Sequence, residues 1–168
     1  VPIGTLLSVP PSVSQLDGAG QREQIGALFR QALWLALGLG LVLFAFLTFI
    51  PLALAPMGIT AEIIRGPTDF LHGIRWGVVA LTLFFCMRYL SEGLHWTLPT
   101  LVLSAGGLLV LLPVGYVLTF GKFGLPEMGA GGLGVASAIM LWMQAIGFAV
   151  VLWRSKRFAD LKLFEPFE

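Results

Sequence analysis

The chain has 168 residues, of which 57% are hydrophobic and only 11% are charged. Its mean hydropathy of +0.91 lies well above that of soluble domains. The formal net charge is +1, and the Lys and Arg residues form no basic stripe, which argues against a nucleic-acid-binding protein. The composition therefore predicts an integral membrane protein.

The first residues, "VPIGTLLSVPPSV", are typical of the end of a membrane helix whose beginning is missing. The chain begins at Val1 and has no basic region, apolar core or cleavage site of a signal peptide. The single cysteine, Cys86, excludes a disulfide within the chain, and its apolar neighbours in "LFFCMRY" predict a buried thiol. The sequence thus predicts a fragment of a longer membrane protein.

Four further stretches are long and apolar enough to cross a bilayer, which requires about 20 helical residues. They are predicted near Ala27–Ile50, Phe70–Tyr89, Leu98–Phe120 and Leu133–Trp153. The expected fold is therefore an all-α membrane helix bundle with four full transmembrane helices and the end of a fifth.

The basic residues predict the orientation of these helices, because short cytoplasmic loops hold most Lys and Arg. The basic residues at one set of helix ends are Arg22, Arg30, Arg88, Arg154, Lys156, Arg157 and Lys162, and those at the other set are Arg65 and Lys122. We therefore predict that the Asp17–Arg30 loop and the Arg154–Lys162 tail are cytoplasmic. The loops Pro51–Asp69 and Gly121–Gly131 are predicted to lie outside.

The segment from Gln21 to Gln31 has one apolar and one polar face. Ile25, Leu28, Phe29 and Ala32 recur at helical spacing, opposite charged and amide side chains. A helix from Gln21 to Ile50 is longer than the hydrocarbon core requires, so its first turns are predicted to lie in the headgroup layer.

The stretch "GAGGLG", Gly129 to Gly134, matches the glycine pattern of dinucleotide-binding sites. That pattern needs a strand before it and an acidic residue about 20 positions later, and the chain offers neither. The alternative is that Gly131, Gly134, Ala138 and Ala145 allow close approach of helices, and this is the interpretation that we favour.

Arg75 is the one charged residue well inside a predicted span. A buried cation in a bilayer requires a partner or water, so Arg75 either faces a protein interior or cavity, with Asp69 or Glu62 as a partner, or extends outward to the headgroups. His72 and His95 lack metal-ligand spacing and are predicted to pack at the interfaces.

Three neutral polar side chains are predicted at membrane depth. Ser137 and Gln144 are seven residues apart and share a face of the last helix, and Tyr116 lies on the preceding helix. With Arg75 they are the candidate substrate-pathway residues, although Ser and Gln also serve as hydrogen bonds between helices. The sequence has no Ser/His/Asp set, paired carboxylates or phosphate loop with Lys, so it predicts neither an enzyme nor a resident metal or cofactor.

Three loop motifs together resemble one family. "SQLDGAGQREQIGALFRQALWLAL", "RYLSEGLHWTLPT" and "FGKFGLPEMGAGGLGVASAIMLWMQA", separated by single membrane helices and followed by "WRSKRF", resemble the N-terminal half of bacterial multidrug and toxic compound extrusion (MATE) transporters. The resemblance implies a twelve-helix antiporter with two six-helix lobes. Residues 1–168 would hold the end of helix 2 through helix 6 of the N-terminal lobe.

The resemblance also implies a function, a location and partners. The family exports cationic and aromatic drugs in exchange for H⁺ or Na⁺, across the bacterial inner membrane. The expected partners are the lipid bilayer, the drugs and the remainder of the transporter. Two polar positions that the family often has on helix 5 match Leu111 and Gly115, whose side chains cannot bind a cation. Ser137 matches a position where the family often has Thr.

Two alternatives differ from drug antiport. They are a related flippase of lipid-linked sugars and a non-transporting membrane scaffold. Both would be favoured if the missing helices lacked acidic residues or carried many more basic residues lining the cleft. One Asp in the first helix, before Val1, would favour antiport over both.

Overall fold

The computed structural model describes residues 9–54, 61–124 and 126–155, with backbone alone over 51–54 and 61–64. This part of the chain is helical and contains no strand. The α-helices are α1 (Val9–Gly18), α2 (Arg22–Leu54), α3 (Ala61–Ile74), α4 (Val78–Gly93), α5 (Leu98–Phe120) and α6 (Gly129–Arg154), with 3₁₀ turns at Arg75–Gly77 and Lys122–Gly124.

The all-α prediction with four membrane-length segments is confirmed. Segments long and apolar enough to cross a membrane are Arg22–Ile50, Arg65–Gly93, Leu98–Phe120 and Gly129–Arg154. The second of them consists of most of α3, the 3₁₀ turn Arg75–Gly77 and α4, so the short turn tightens the backbone without ending the span. Helix α1 includes the last residues of the predicted helix end, 9–13, and continues to Gly18, while residues 1–8 lie outside the described residues.

The predicted outer loop Pro51–Asp69 is wrong over its second half, because α3 already begins at Ala61. Gly66 and Pro67 favour a turn when the sequence is considered alone. In the folded chain, however, α3 packs closely on α6 from Asp69 onward, and the helix continues through Pro67. Tertiary packing thus outweighs the loss of one backbone hydrogen bond at the proline.

The best-buried core lies where α1, α2, α4 and α6 meet. The largest side chains with no more than 2% exposure there are Val13, Ile25, Phe29, Leu90, Phe148 and Leu152, together with the predicted buried thiol of Cys86. Phe84 and Phe148 pack edge to face, with ring centroids 5.8 Å apart. This cluster joins the first turns of α2 to α4 and α6 through close packing.

The apolar face of the Gln21–Gln31 segment is therefore buried in protein. Ile25 is 0% exposed, Phe29 1% and Ala32 6%. The helical periodicity was predicted correctly, but a sequence alone does not distinguish a face that contacts lipid from one that contacts another helix.

Helix α6 is held closely on two sides by small residues. On the α3 side, a Cβ built on Gly73 would lie 2.7 Å from both the Gly131 carbonyl oxygen and the Val135 amide nitrogen. On the α5 side, a Cβ on Gly132 would collide with the backbone at Leu118. The predicted role of Gly131, Gly134 and Ala138 in helix contact is confirmed, since backbones can approach this closely only at such residues.

Helices α2 and α5 lie at the periphery and expose apolar side chains. The exposed residues of α2 include Trp34, Val42, Phe46 and Phe49, and those of α5 include Leu101, Val102, Leu109 and Leu112. Such continuous apolar surfaces are compatible with lipid or with further helices.

Candidate substrate-pathway surface

An apolar cleft of about 720 Å³ lies between the Gly73–Trp76 region and one face of α6. The residues that line it are Gly73, Trp76, Val135, Ala138, Ile139, Trp142, Met143, Ile146 and Gly147. The α6 residues recur at helical spacing because they share one face of the helix. The volume lies in the range that accommodates a drug-sized molecule. We refer to this feature as the tryptophan cleft.

Two tryptophans are connected across the tryptophan cleft. The indole Nε1 of Trp142 donates a hydrogen bond of 2.8 Å to the backbone carbonyl oxygen of Trp76. An indole N–H in apolar surroundings requires an acceptor, and the 3₁₀ turn places one within reach. The bond therefore fixes the orientation of the Trp142 ring relative to the turn.

Trp142 also borders a second, smaller cavity of about 240 Å³. This cavity is lined by Phe29, Leu33, Leu83, Met87, Trp142, Ala145, Ile146, Ala149 and Leu152. Trp142 and Ile146 thus line both the tryptophan cleft and the smaller cavity, and a substitution at either residue would alter the shape of both.

Arg75 lies beside the tryptophan cleft, next to two aromatic rings. Its guanidinium carbon is 5.8 Å from the ring centroid of Phe44 and 5.7 Å from that of Trp76, and the two rings meet edge to face at 5.2 Å. Its Nε atom is buried and has no hydrogen-bond partner among the described residues. Of the partners predicted for Arg75, Asp69 forms no ion pair with it, and the side chain of Glu62 lies outside the described residues.

Gln144 is buried between α5 and α6, with 6% of its surface exposed. Its amide nitrogen donates a hydrogen bond of 3.3 Å to the Leu103 carbonyl oxygen. Gly107 provides the space, because a Cβ there would overlap the amide nitrogen of Gln144. The contact is a hydrogen bond between helices, which the sequence left as one of two possibilities.

Ser137 and Tyr116 do not join Gln144 in one polar site. The Ser137 hydroxyl donates to the Leu133 carbonyl oxygen of its own helix at 2.9 Å. Tyr116 is 56% exposed and packs against Phe120, with ring centroids 5.0 Å apart. Among the described residues, no hydrogen bond joins any two of the four candidates, and the residues lining the tryptophan cleft include none of them.

Trp76 and Trp142 are not among the site residues predicted from the sequence. Helical periodicity identifies a face of a helix but not the helix that packs against it, so the shared cleft is visible only in the folded chain. The sequence does contain one signal for the α6 wall of the cleft. Val135, Ala138 and Trp142 recur at helical spacing, so one apolar face of α6 extends beyond its small residues Gly131 and Gly134.

His72 is exposed on α3, and His95 occupies the turn between α4 and α5 with a φ of 56°. Within the described ranges, no group of three His, Cys, Asp or Glu residues could hold a metal ion.

Comparison with known proteins shows which family the chain resembles in sequence. Residues 1–117 match the family model described as MatE. The chain is 65% identical over its whole length to a protein named "Probable multidrug resistance protein NorM" from Xanthomonas campestris pv. campestris, and it covers 37% of that protein. It is 36% identical over 98% of its length to "Multidrug resistance protein MdtK" from Yersinia pestis, covering 36% of that protein.

The chain therefore spans slightly more than a third of the length of these curated relatives. The family model covers more than half of the chain, in the region that contains two of the four membrane-length segments and most of a third. Together with the helical fold, this match shows that the chain is a multi-pass membrane protein that belongs to the MatE family.

Proposed function

We propose that residues 1–168 are part of the N-terminal six-helix lobe of a twelve-helix transporter, from the end of helix 2 through helix 6. The complete transporter exports drugs across the bacterial inner membrane in exchange for H⁺ or Na⁺. The proposal is supported by the names of the relatives and by the tryptophan cleft, whose size and apolar, aromatic lining suit cationic or aromatic drugs.

In this proposal the tryptophan cleft is a drug-contacting wall. Aromatic side chains bind varied planar compounds by stacking and dispersion, which require no particular pattern of hydrogen bonds. Trp142 is the central residue, because its ring is fixed by the bond to Trp76 and borders both cavities.

The coupling ion is proposed to bind elsewhere in the parent transporter. The sequence has no Asp or Glu between Phe70 and Ser91, within Leu98–Phe120 or within Gly129–Arg154. Neutral hydroxyl and amide oxygens neither exchange a proton near neutral pH nor bind Na⁺ strongly. Ser137 and Gln144 donate hydrogen bonds to backbone carbonyl oxygens, which is the usual role of such side chains between membrane helices.

The first test replaces Trp142 with Ala in the full-length transporter and measures drug binding and export in proteoliposomes. Loss of one aromatic wall should weaken drug binding by about three- to tenfold. Trp153→Ala is the matched control, because Trp153 is 76% exposed and lies at the end of α6. Equal effects of the two substitutions would contradict the assignment of the tryptophan cleft.

A second test separates drug contact from ion coupling. Ser137→Ala and Gln144→Ala should alter which drugs are exported, or how tightly they bind, and should leave the dependence of transport on pH and Na⁺ nearly unchanged. If Ser137→Ala abolished the ion dependence while drug binding persisted, Ser137 would belong to the coupling site and this lobe would not be mainly a drug-facing wall.

A further inference from the structure

The smaller cavity continues the tryptophan cleft along α6. Trp142 and Ile146 line both spaces, and the further α6 residues of the smaller cavity, Ala145, Ala149 and Leu152, lead toward the C-terminal end of the helix. Because an α-helix rises about 1.5 Å per residue, Leu152 lies about 15 Å beyond Trp142 along the axis of α6. The two spaces are therefore consecutive and meet at the same two side chains.

The side chains between the two spaces are exposed, whereas the floor of the smaller cavity is fixed. Trp142 is 41% exposed and Ile146 is 58% exposed, so neither is enclosed in the core. Phe29 and Leu152, at 1% and 2% exposure, belong to the packed core where α1, α2, α4 and α6 meet. A molecule in the tryptophan cleft can therefore extend past Trp142 and Ile146 into the smaller cavity without displacing the core.

The lining determines which groups the smaller cavity accepts. The Trp142 indole N–H already donates to the Trp76 carbonyl oxygen, and the other described lining residues have no nitrogen or oxygen in their side chains. Water in such a space would lack the two to four polar partners that it needs, and an apolar cavity of about 150 Å³ is already large enough to bind benzene. At about 240 Å³, the smaller cavity suits an uncharged alkyl or small aryl group.

We propose that the smaller cavity is a second subsite, which receives the alkyl or aryl substituent of an aromatic cation whose ring system lies in the tryptophan cleft. The inference rests on the proposed function, because it adds a specificity to the drug-contacting wall. The continuity of the two spaces at Trp142 and Ile146 favours this occupant over a separate lipid chain. Affinity for a drug then depends on its apolar substituent as well as on its ring.

The test uses cationic dyes that share one acridine ring and differ only in an N-linked methyl, hexyl or octyl chain. Binding is measured by fluorescence anisotropy with the full-length transporter, at one detergent concentration for all variants, so that uptake of dye by micelles is the same in each comparison. Each fully buried methylene raises affinity by up to about fourfold. Ala149→Phe, which fills the smaller cavity, should weaken binding of the hexyl dye about tenfold and leave the methyl dye unchanged.

Val150→Phe is the matched control, since Val150 is the next residue of α6, is 41% exposed and lines neither space. It should change the binding of neither dye. Leu83→Ala provides the opposite change and decides the question even if Ala149→Phe fails to fold. It enlarges the smaller cavity alone, so it should strengthen binding of the octyl dye about threefold and leave the methyl dye unchanged.

Three results would contradict the proposal and are distinguishable from one another. Equal weakening of the methyl and hexyl dyes by Ala149→Phe would show that the smaller cavity supports the fold or holds a helix of the parent chain. Unchanged binding of the hexyl dye in Ala149→Phe, or of the octyl dye in Leu83→Ala, would show that the chain lies elsewhere or that a lipid tail occupies the cavity, while drug binding by the tryptophan cleft would stand. If the wild-type transporter bound none of the dyes, the proposed function of the cleft would itself fail.

Discussion

Gln144 illustrates how a polar side chain is accommodated between two membrane-length helices. Its amide fits against α5 only because Gly107 has no side chain, and the donor then reaches the Leu103 carbonyl oxygen. An unsatisfied amide in apolar surroundings is costly, so the residue and the space for it are coupled. The same principle applies to the Trp142 indole, which needs the Trp76 carbonyl oxygen.

This coupling predicts the effect of Gly107→Ala on the parent transporter. The added methyl group should displace the Gln144 amide and lower the free energy of unfolding by about 1 to 3 kcal/mol. Gly106→Ala is the control, because a Cβ on Gly106 meets no atom within 4 Å. The double variant Gly107→Ala/Gln144→Ala should lose less than the sum of the two single variants. Additive losses, measured by unfolding in detergent, would show that the two residues act independently.

At the scale of elements, the contact between α3 and α6 keeps the Gly73–Trp76 region next to the α6 face of the tryptophan cleft. The contact is formed largely by backbone, since Gly134 lies against the Phe70 carbonyl and Gly73 against Gly131. The two walls of the cleft are therefore positioned by the contact between these helices.

Gly134→Ala is predicted to separate α3 from α6. The new Cβ would overlap the Phe70 carbonyl oxygen, and backbone cannot move aside as a flexible side chain can. We expect a loss of about 1 to 3 kcal/mol in the free energy of unfolding, together with weaker drug binding. Gly38→Ala on α2 should cause neither effect, because no atom lies within 4 Å of its Cβ position. Unchanged drug binding in a destabilised Gly134→Ala protein would show that the cleft does not depend on this contact.

At the scale of the whole molecule, the four membrane-length segments and the connections between them define a topology that labelling can test. Cys86 is 0% exposed and should react slowly, and Cys86→Ala removes the one cysteine of residues 1–168. Cysteine introduced at Gln21 is expected to react with an impermeant reagent from the cytoplasmic side. Cysteine at Glu127 is expected to react from the outer side, because the basic residues concentrate at the other helix ends. Reaction of both positions from the same side would contradict the helix count.

The sequence by itself determined the class of the protein, the number of membrane-length helices and the small-residue faces of α6. These features depend on composition and on local periodicity, which are properties of the chain before it folds. The resemblance to the MATE family was likewise present in the loop motifs, and the match over residues 1–117 confirms it.

The tertiary structure decided which partner each face meets. It placed the apolar face of Gln21–Gln31 in the protein core, extended α3 back to Ala61, and brought Trp142 to Trp76. It also gave Ser137, Gln144 and Tyr116 different partners, namely the Leu133 carbonyl oxygen, the Leu103 carbonyl oxygen and the Phe120 ring. Periodicity gives the direction of a side chain around its own helix, whereas the position of the neighbouring helix follows from contacts between residues far apart in sequence. For that reason the tryptophan cleft and the place of Arg75 beside it emerge only from the folded chain.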